Sequence, residues 1–195
     1  MSKIIILEGA RGTGKSSVSF QLRQHLPHST LINFTGFNES GEEGLNKITT
    51  YYDSWLELFR QMKSGIKDQV IICDRFFFSE RVYSALYKDY DFSKIFKIYS
   101  MLLPTLADEL FIYNFTIHDE KELTKRLQRD KIPFSSIKES VEETLKQQKE
   151  YKKCFDEFFA YQDIKSFREK IAFKEISTDS ESIESVLNTI KNEVK

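Results

Sequence analysis

Short apolar runs alternate along the chain with longer stretches in which apolar residues recur every three or four positions. The runs Lys3–Leu7, Thr30–Phe34, Val70–Cys73, Leu110–Phe115 and Ile171–Ile176 are rich in β-branched and aromatic residues. They predict five strands buried on both faces. Between them, Val18, Leu22 and Leu26 repeat at helical spacing, and Pro27 stops that helix. Further helices are predicted over Leu45–Ser64, Ser79–Lys88, Ser93–Leu103, Asp119–Asp130, Ser136–Gln162 and Ser182–Val194. Ser136 with Glu139, and Thr178 with Glu181, have the spacing of capping boxes. Gly36–Gly44 and Asp130–Ser135 read as loops. Alternating strands and helices predict an α/β domain around a parallel sheet. Such sheets bind ligands outside the C-terminal ends of their strands. The loops after the first, second and third strands are therefore expected to converge on one cleft.

The loop after the first strand carries the chemistry. Gly9-Ala10-Arg11-Gly12-Thr13-Gly14-Lys15-Ser16, followed by Ser17, has the spacing G-x-x-x-x-G-K-S. This is the phosphate-binding P-loop, with a strand before it and a helix after it as the motif requires. Its glycines let the backbone curl so that consecutive N–H groups face phosphate oxygens. The helix N-terminus adds partial positive charge at the same point. Lys15 supplies a cation for the β- and γ-phosphates and Ser16 a hydroxyl for Mg²⁺. The expected ligand is ATP with Mg²⁺.

The third strand ends in Asp74-Arg75. A carboxylate at that strand end faces the phosphates, where Asp74 can serve Mg²⁺. Arg75 can hold a phosphate bidentately. The absence of a second carboxylate directly after Asp74 favours transfer to a bound acceptor over hydrolysis.

Composition narrows the partners. The 195 residues suit one domain, 1–195. A net charge of -1 gives no global signal for nucleic acid, although a local patch is compatible with it. Cys73 and Cys154 are far apart and belong to no Cys/His cluster, which suits reduced thiols in a cytoplasmic protein. No stretch reaches the length of a membrane span.

Two motifs carry a resemblance. Ile6-Leu-Glu8-Gly9 through Ser17 resembles the F-E-G-x-D-G-x-G-K-S-T segment of thymidylate kinases. Asp74-Arg75-Phe76-x-x-Ser79-x-x-Val82-Tyr83 is similar to their D-R-Y-x-x-S-x-x-A-Y segment. Ala107–Phe115, with Leu123-x-x-Arg126-Leu127, resembles that family's fourth strand and following helix. The resemblance implies a P-loop kinase fold with a five-stranded parallel sheet flanked by helices. It implies phosphoryl transfer from ATP to a nucleoside monophosphate, and a homodimer. It places Arg75 on the acceptor phosphate and Asp74 beside the metal.

The sequence departs from the family on the acceptor side. Arg11 stands where the family has an aspartate, and only Asn38-Glu39-Ser40-Gly41 echoes the usual R-E-P-G-G stretch. Glu8, Phe34, Ser79 and Tyr83 are the remaining acceptor-site candidates, with a hydrogen-bonding role behind the site equally open to Glu8; Phe34, Phe37, Phe76 and Phe77, near the cleft, can stack on a base or belong to the core. Arg126 and Arg129, with the loop that follows, are expected to form a basic lid near 126–136. A hydroxyl acceptor, on a nucleoside or on nucleic acid, is the second reading, with Glu8 or Asp74 as general base. A nucleotide-binding regulator without transfer activity is the third.

Overall fold

The computed structural model describes residues 1–129, 134–162, 165–179 and 181–194. Among the described residues five strands are present: β1 (Lys3–Gly9), β2 (Ser29–Asn33), β3 (Val70–Asp74), β4 (Glu109–Thr116) and β5 (Ile171–Ser177). All pair in parallel in the order β2-β3-β1-β4-β5. Each coincides with a predicted strand to within two residues, because continuous β-branched and aromatic runs suit strands covered on both faces.

The helices are α1 (Lys15–His25), α2 (Gly41–Gly65), α3 (Phe77–Tyr87), α4 (Ser93–Leu102), α5 (Glu120–Arg129), α6 (Ile137–Ala160), α7 (Lys165–Arg168) and α8 (Ile183–Val194). A 3₁₀ turn, Leu103–Thr105, follows α4.

Strand alternation divides the core into two layers. Ile4 and Ile6 of β1 face one way, into an aromatic cluster with α2, α3, α4 and α6. Ile5 and Leu7 face the other way, against Val18 and Leu22 of α1 and Val186, Leu187 and Ile190 of α8.

One helix start and one helix cap differ from the sequence reading. α2 begins at Gly41, inside the expected loop. Glu42 and Glu43 suit its first turn. The Asp89 carboxylate accepts from Gly41 N and from Ser40 Oγ, which fixes its start. The second capping box does not form. Ser182 Oγ accepts from Ser185 N at the start of α8. Thr178 is instead buried and bonded to Thr116 and Arg126. α6 runs unbroken, and here the expected cap does form: Ser136 Oγ accepts from Glu139 N at 3.2 Å.

Candidate active site

The site is assembled at the C-terminal ends of β1 and β3. β1 leads into the P-loop, whose backbone the glycines make possible. Gly9 has φ 139° and sits so close to Phe115 O that a Cβ would overlap it. Gly14 has φ 83° at the N-cap of α1. The loop closes on the carbonyl of Ala10, which accepts from Thr13 Oγ1 at 2.9 Å and Lys15 Nζ at 3.2 Å. Thr13 and Lys15 are buried, while Arg11, Ser16 and Ser17 are exposed. Burial, then the nearby Arg75, lowers the Lys15 ammonium from 10.5 to about 7; Asp74 and Glu8 oppose that shift. An anionic ligand would restore its charge.

The ends of β1 and β3 are cross-linked. Arg75 N–H donates to Leu7 O at 2.9 Å. Glu8, 0% exposed, accepts from Phe76 N through Oε1 and from Ser79 Oγ through Oε2, both at 2.6 Å. Burial raises its carboxyl from 4.5 to about 7, with the Ser79 bond, Arg75, the Phe76 bond and Lys15 pulling the other way. Arg75 is half-buried. Its Nη1 lies 3.4 Å from Tyr83 Oη, and its guanidinium sits over the Tyr83 ring, 5.6 Å from the centroid. Asp74 is 2% exposed, and its Oδ1 has no protein hydrogen-bond partner.

A cavity of about 570 Å³ opens beside the P-loop. Gly12 to Val18 form one wall. Glu122, Arg126 and Arg129 of α5 form a second. Thr178, Glu181, Ser182, Ile183 and Val186 form a third. Arg126 fixes two of these walls to each other. It donates to Gly12 O at 3.3 Å, Thr178 Oγ1 at 3.0 Å and Thr178 O at 2.7 Å, while Glu122 accepts from its Nε at 3.0 Å.

No protein family model matches the chain, and no curated protein does. Solved structures do. Thymidylate kinase from Candida albicans superposes with a TM-score of 0.57 at 18% identity, over 99% of this chain and 91% of that one. The Deinococcus radiodurans tunicamycin resistance protein superposes with a TM-score of 0.53 at 15% identity, over 100% of this chain and 96% of that one. The chain has a thymidylate kinase-like P-loop fold.

Within that fold the sequence candidates separate into three groups. Gly9 to Ser17, Asp74, Arg75 and Tyr83 gather around the P-loop and the end of β3. Arg126 and Arg129 reach the same cavity from α5. Arg126 clamps it, Arg129 is exposed at its edge, and lid residues 130–133 lie outside the described residues.

The third group is corrected. Phe34, 3% exposed, is stacked on Tyr52 and packed against Trp55, Phe59 and Phe76, so it belongs to the core and does not face an acceptor. Phe76 and Phe77 are also core, and Phe37 packs edge-on against Tyr51. An apolar ring at a strand end gains more from the aromatic cluster than from the cleft. Glu8 and Ser79 are too buried to present a surface to an acceptor, and they bond to each other instead.

Sequence reasoning missed Tyr151 and Gln147 of α6, both buried. Tyr151 Oη lies 2.7 Å from Ser79 Oγ, and Gln147 Nε2 donates to Tyr87 Oη at 3.0 Å. Their only signal was polarity on the apolar face of a long helix.

The residues present fit Mg²⁺. The partnerless Asp74 Oδ1 and the exposed Ser16 hydroxyl are hard oxygen donors, too few for a protein cage. They suit an ion that keeps its remaining shell in water and phosphate oxygens. Among the described residues no cluster of His, Cys, Asp and Glu offers another metal site.

Proposed function

We propose that this protein is an ATP-dependent phosphotransferase whose acceptor is a nucleoside monophosphate. One observation carries the reading: Arg75, at the end of β3, lies close enough to Lys15, on the adjacent phosphate-binding loop, for its charge to lower the Lys15 ammonium. The two cations flank the point where a γ-phosphoryl group would pass from donor to acceptor.

The P-loop amides and Lys15 hold the triphosphate, and the cavity walled by Arg126, Thr178 and Ile183 takes the nucleoside of ATP. Ser16 and Asp74 would hold Mg²⁺, which would supply neutralisation of the triphosphate charge. Arg75 orients the acceptor phosphate in line, with Tyr83 beneath its guanidinium. Arg11, on the exposed side of the loop, and Arg129 add charge around the transferred group. A phosphate acceptor is already a nucleophile, so positioning and electrostatics suffice.

The apolar surface of α4, where Ile98, Met101 and Leu102 are exposed, supports a homodimer. Two free, buried cysteines support a cytoplasmic setting. No helix among the described residues is long and apolar enough to cross a membrane.

A hydroxyl acceptor is the second reading. It is favoured by one carboxylate at the site, Asp74, with its partnerless oxygen. The deciding experiment is ADP release from Mg-ATP against ribo- and deoxynucleoside monophosphates, with nucleosides and oligonucleotide ends in parallel and Lys15→Ala as blank. Turnover on a monophosphate supports the first reading. Turnover confined to hydroxyl acceptors replaces it with the second. ATP binding with no acceptor turned over overturns both in favour of a regulator.

A further inference from the structure

Arg75 stands in an unusual backbone state. Its φ is 69°, in the left-handed region that residues with a Cβ avoid. Such a conformation persists only where its surroundings over-determine it. Here two bonds flank it: its own N–H to Leu7 O, and the next N–H, that of Phe76, to Glu8 Oε1.

The second bond has a recognisable form. Phe76 is the N-cap of α3, and its side chain supplies no cap. In a capping box, a glutamate at the third helical position reaches back to the N–H of the N-cap residue. The third helical residue of α3 is Ser79, too short to reach back. Glu8 makes that bond from a different strand, and its other oxygen is held by the Ser79 hydroxyl. The Ser79 proton is spent on Glu8, so Tyr151 of α6 donates to Ser79. The three side chains are buried, with Ser79 the most exposed at 7%.

We propose that Glu8 is a positioning residue: from the end of β1 it completes the capping box of α3 and thereby holds Arg75 in the left-handed conformation that sets its guanidinium over Tyr83. This deepens the phosphotransferase reading and rests on Arg75 as the acceptor clamp. It gives Glu8 a role distinct from a general base. A base must reach the acceptor, whereas both oxygens of Glu8 are engaged inside the protein and none of its surface is exposed.

The test compares Glu8→Gln, Glu8→Ala, Ser79→Ala and Arg75→Ala with the wild type, using Mg-ATP and the acceptor turned over fastest in the panel above. Crystal structures of Glu8→Gln and Glu8→Ala are determined alongside. Glutamine keeps a carbonyl oxygen for Phe76 N–H. It should leave the acceptor KM and the pH dependence of kcat below pH 7 at wild-type values, and keep φ of residue 75 near 69°.

Glu8→Ala should raise the acceptor KM roughly 3- to 10-fold, the scale of a lost cap, with little change in the ATP KM. It should also release residue 75 from the left-handed region. Ser79→Ala should fall between the two.

A loss of kcat in Glu8→Gln of about 100-fold or more at unchanged KM would identify a general base and overturn the proposal. So would an unaltered φ at residue 75 in Glu8→Ala. If Glu8→Ala does not fold, Glu8→Gln and Ser79→Ala still decide. An unchanged acceptor KM in Arg75→Ala would defeat the Arg75 reading itself. A raised KM there with none in Glu8→Ala defeats only the role of Glu8.

Discussion

Arg126 donates from Nη2 to the carbonyl of Thr178 at 2.7 Å, across the gap between α5 and the loop entering α8. The same guanidinium reaches Gly12 O, so one side chain sets the width of the cavity beside the P-loop. Arg126→Ala is expected to raise the ATP KM about tenfold while sparing the acceptor KM, because a wall that must be re-ordered on binding weakens it. Arg126→Lys should not restore it, since an ammonium cannot form the planar fork. Steady-state kinetics with each substrate varied would check this. Full recovery by lysine would show that charge alone matters there.

Lys15 gives a second prediction. It is buried and held by Ala10 O, so its charge is available only to a ligand inside the loop. Lys15→Ala should lower kcat by about 10²–10³ while the fold persists, the scale of losing one preorganised donor to developing charge. Circular dichroism and ADP release would report the two separately. Wild-type turnover in this variant would remove the P-loop from the chemistry.

Stability of the ligand-free protein should pass through a minimum near pH 7. Between pH 4.5 and 7 an unfolded Glu8 loses its proton while the buried one keeps it, so the native state weakens as pH rises, by roughly 3 kcal/mol. From pH 7 to 10.5 the buried Lys15 is neutral while an unfolded lysine still binds its proton, so stability recovers. Denaturant unfolding across this range would show it. Glu8→Gln should remove the falling limb and Lys15→Met the rising one. A minimum that survives both substitutions would assign it to other groups.

Two glycines of one loop should respond differently to alanine. At Gly14 a Cβ meets nothing within 4 Å, so only the left-handed backbone is penalised, about 1–2 kcal/mol. At Gly9 the Cβ overlaps the carbonyl oxygen of Phe115 on the neighbouring strand. Relief there requires parting β1 from β4, and Gly9→Ala is expected to cost about 3 kcal/mol or more. Equal melting temperatures for the two variants would contradict this.

Phe34→Ala tests the correction to the sequence reading. As part of the aromatic core it should lose about 3–5 kcal/mol of stability with acceptor KM unchanged. A raised KM in a variant of normal stability would return Phe34 to the cleft.

The strands were legible because a sheet covered on both faces writes itself as unbroken apolar runs. The P-loop was legible because its chemistry depends on residue types at fixed spacing. Phe34 was misread because a phenylalanine at a strand end carries no mark of which way it turns, and turning inward gives it five aromatic neighbours. Glu8 was placed beside the acceptor because its neighbours in sequence are there. Its partners, Phe76, Ser79 and through it Tyr151, lie far along the chain, and pairing across such separations leaves no local pattern. The α8 cap was misplaced for a related reason. Thr178 and Ser182 carry similar hydroxyls, and Arg126 and Thr116 claim the first.

The position of β1 at the centre of the sheet has a consequence for how the molecule breathes. The amides of Ile4 to Leu7 are sandwiched between β3 and β4, with helices over both faces. They should exchange with solvent deuterium only when the whole domain opens, whereas β2 and β5, paired on one side each, should exchange by local fraying. The phosphate-binding loop is therefore rooted in the slowest-exchanging part of the chain, and the motion that admits and releases substrates falls to the walls around it rather than to the strand that carries it.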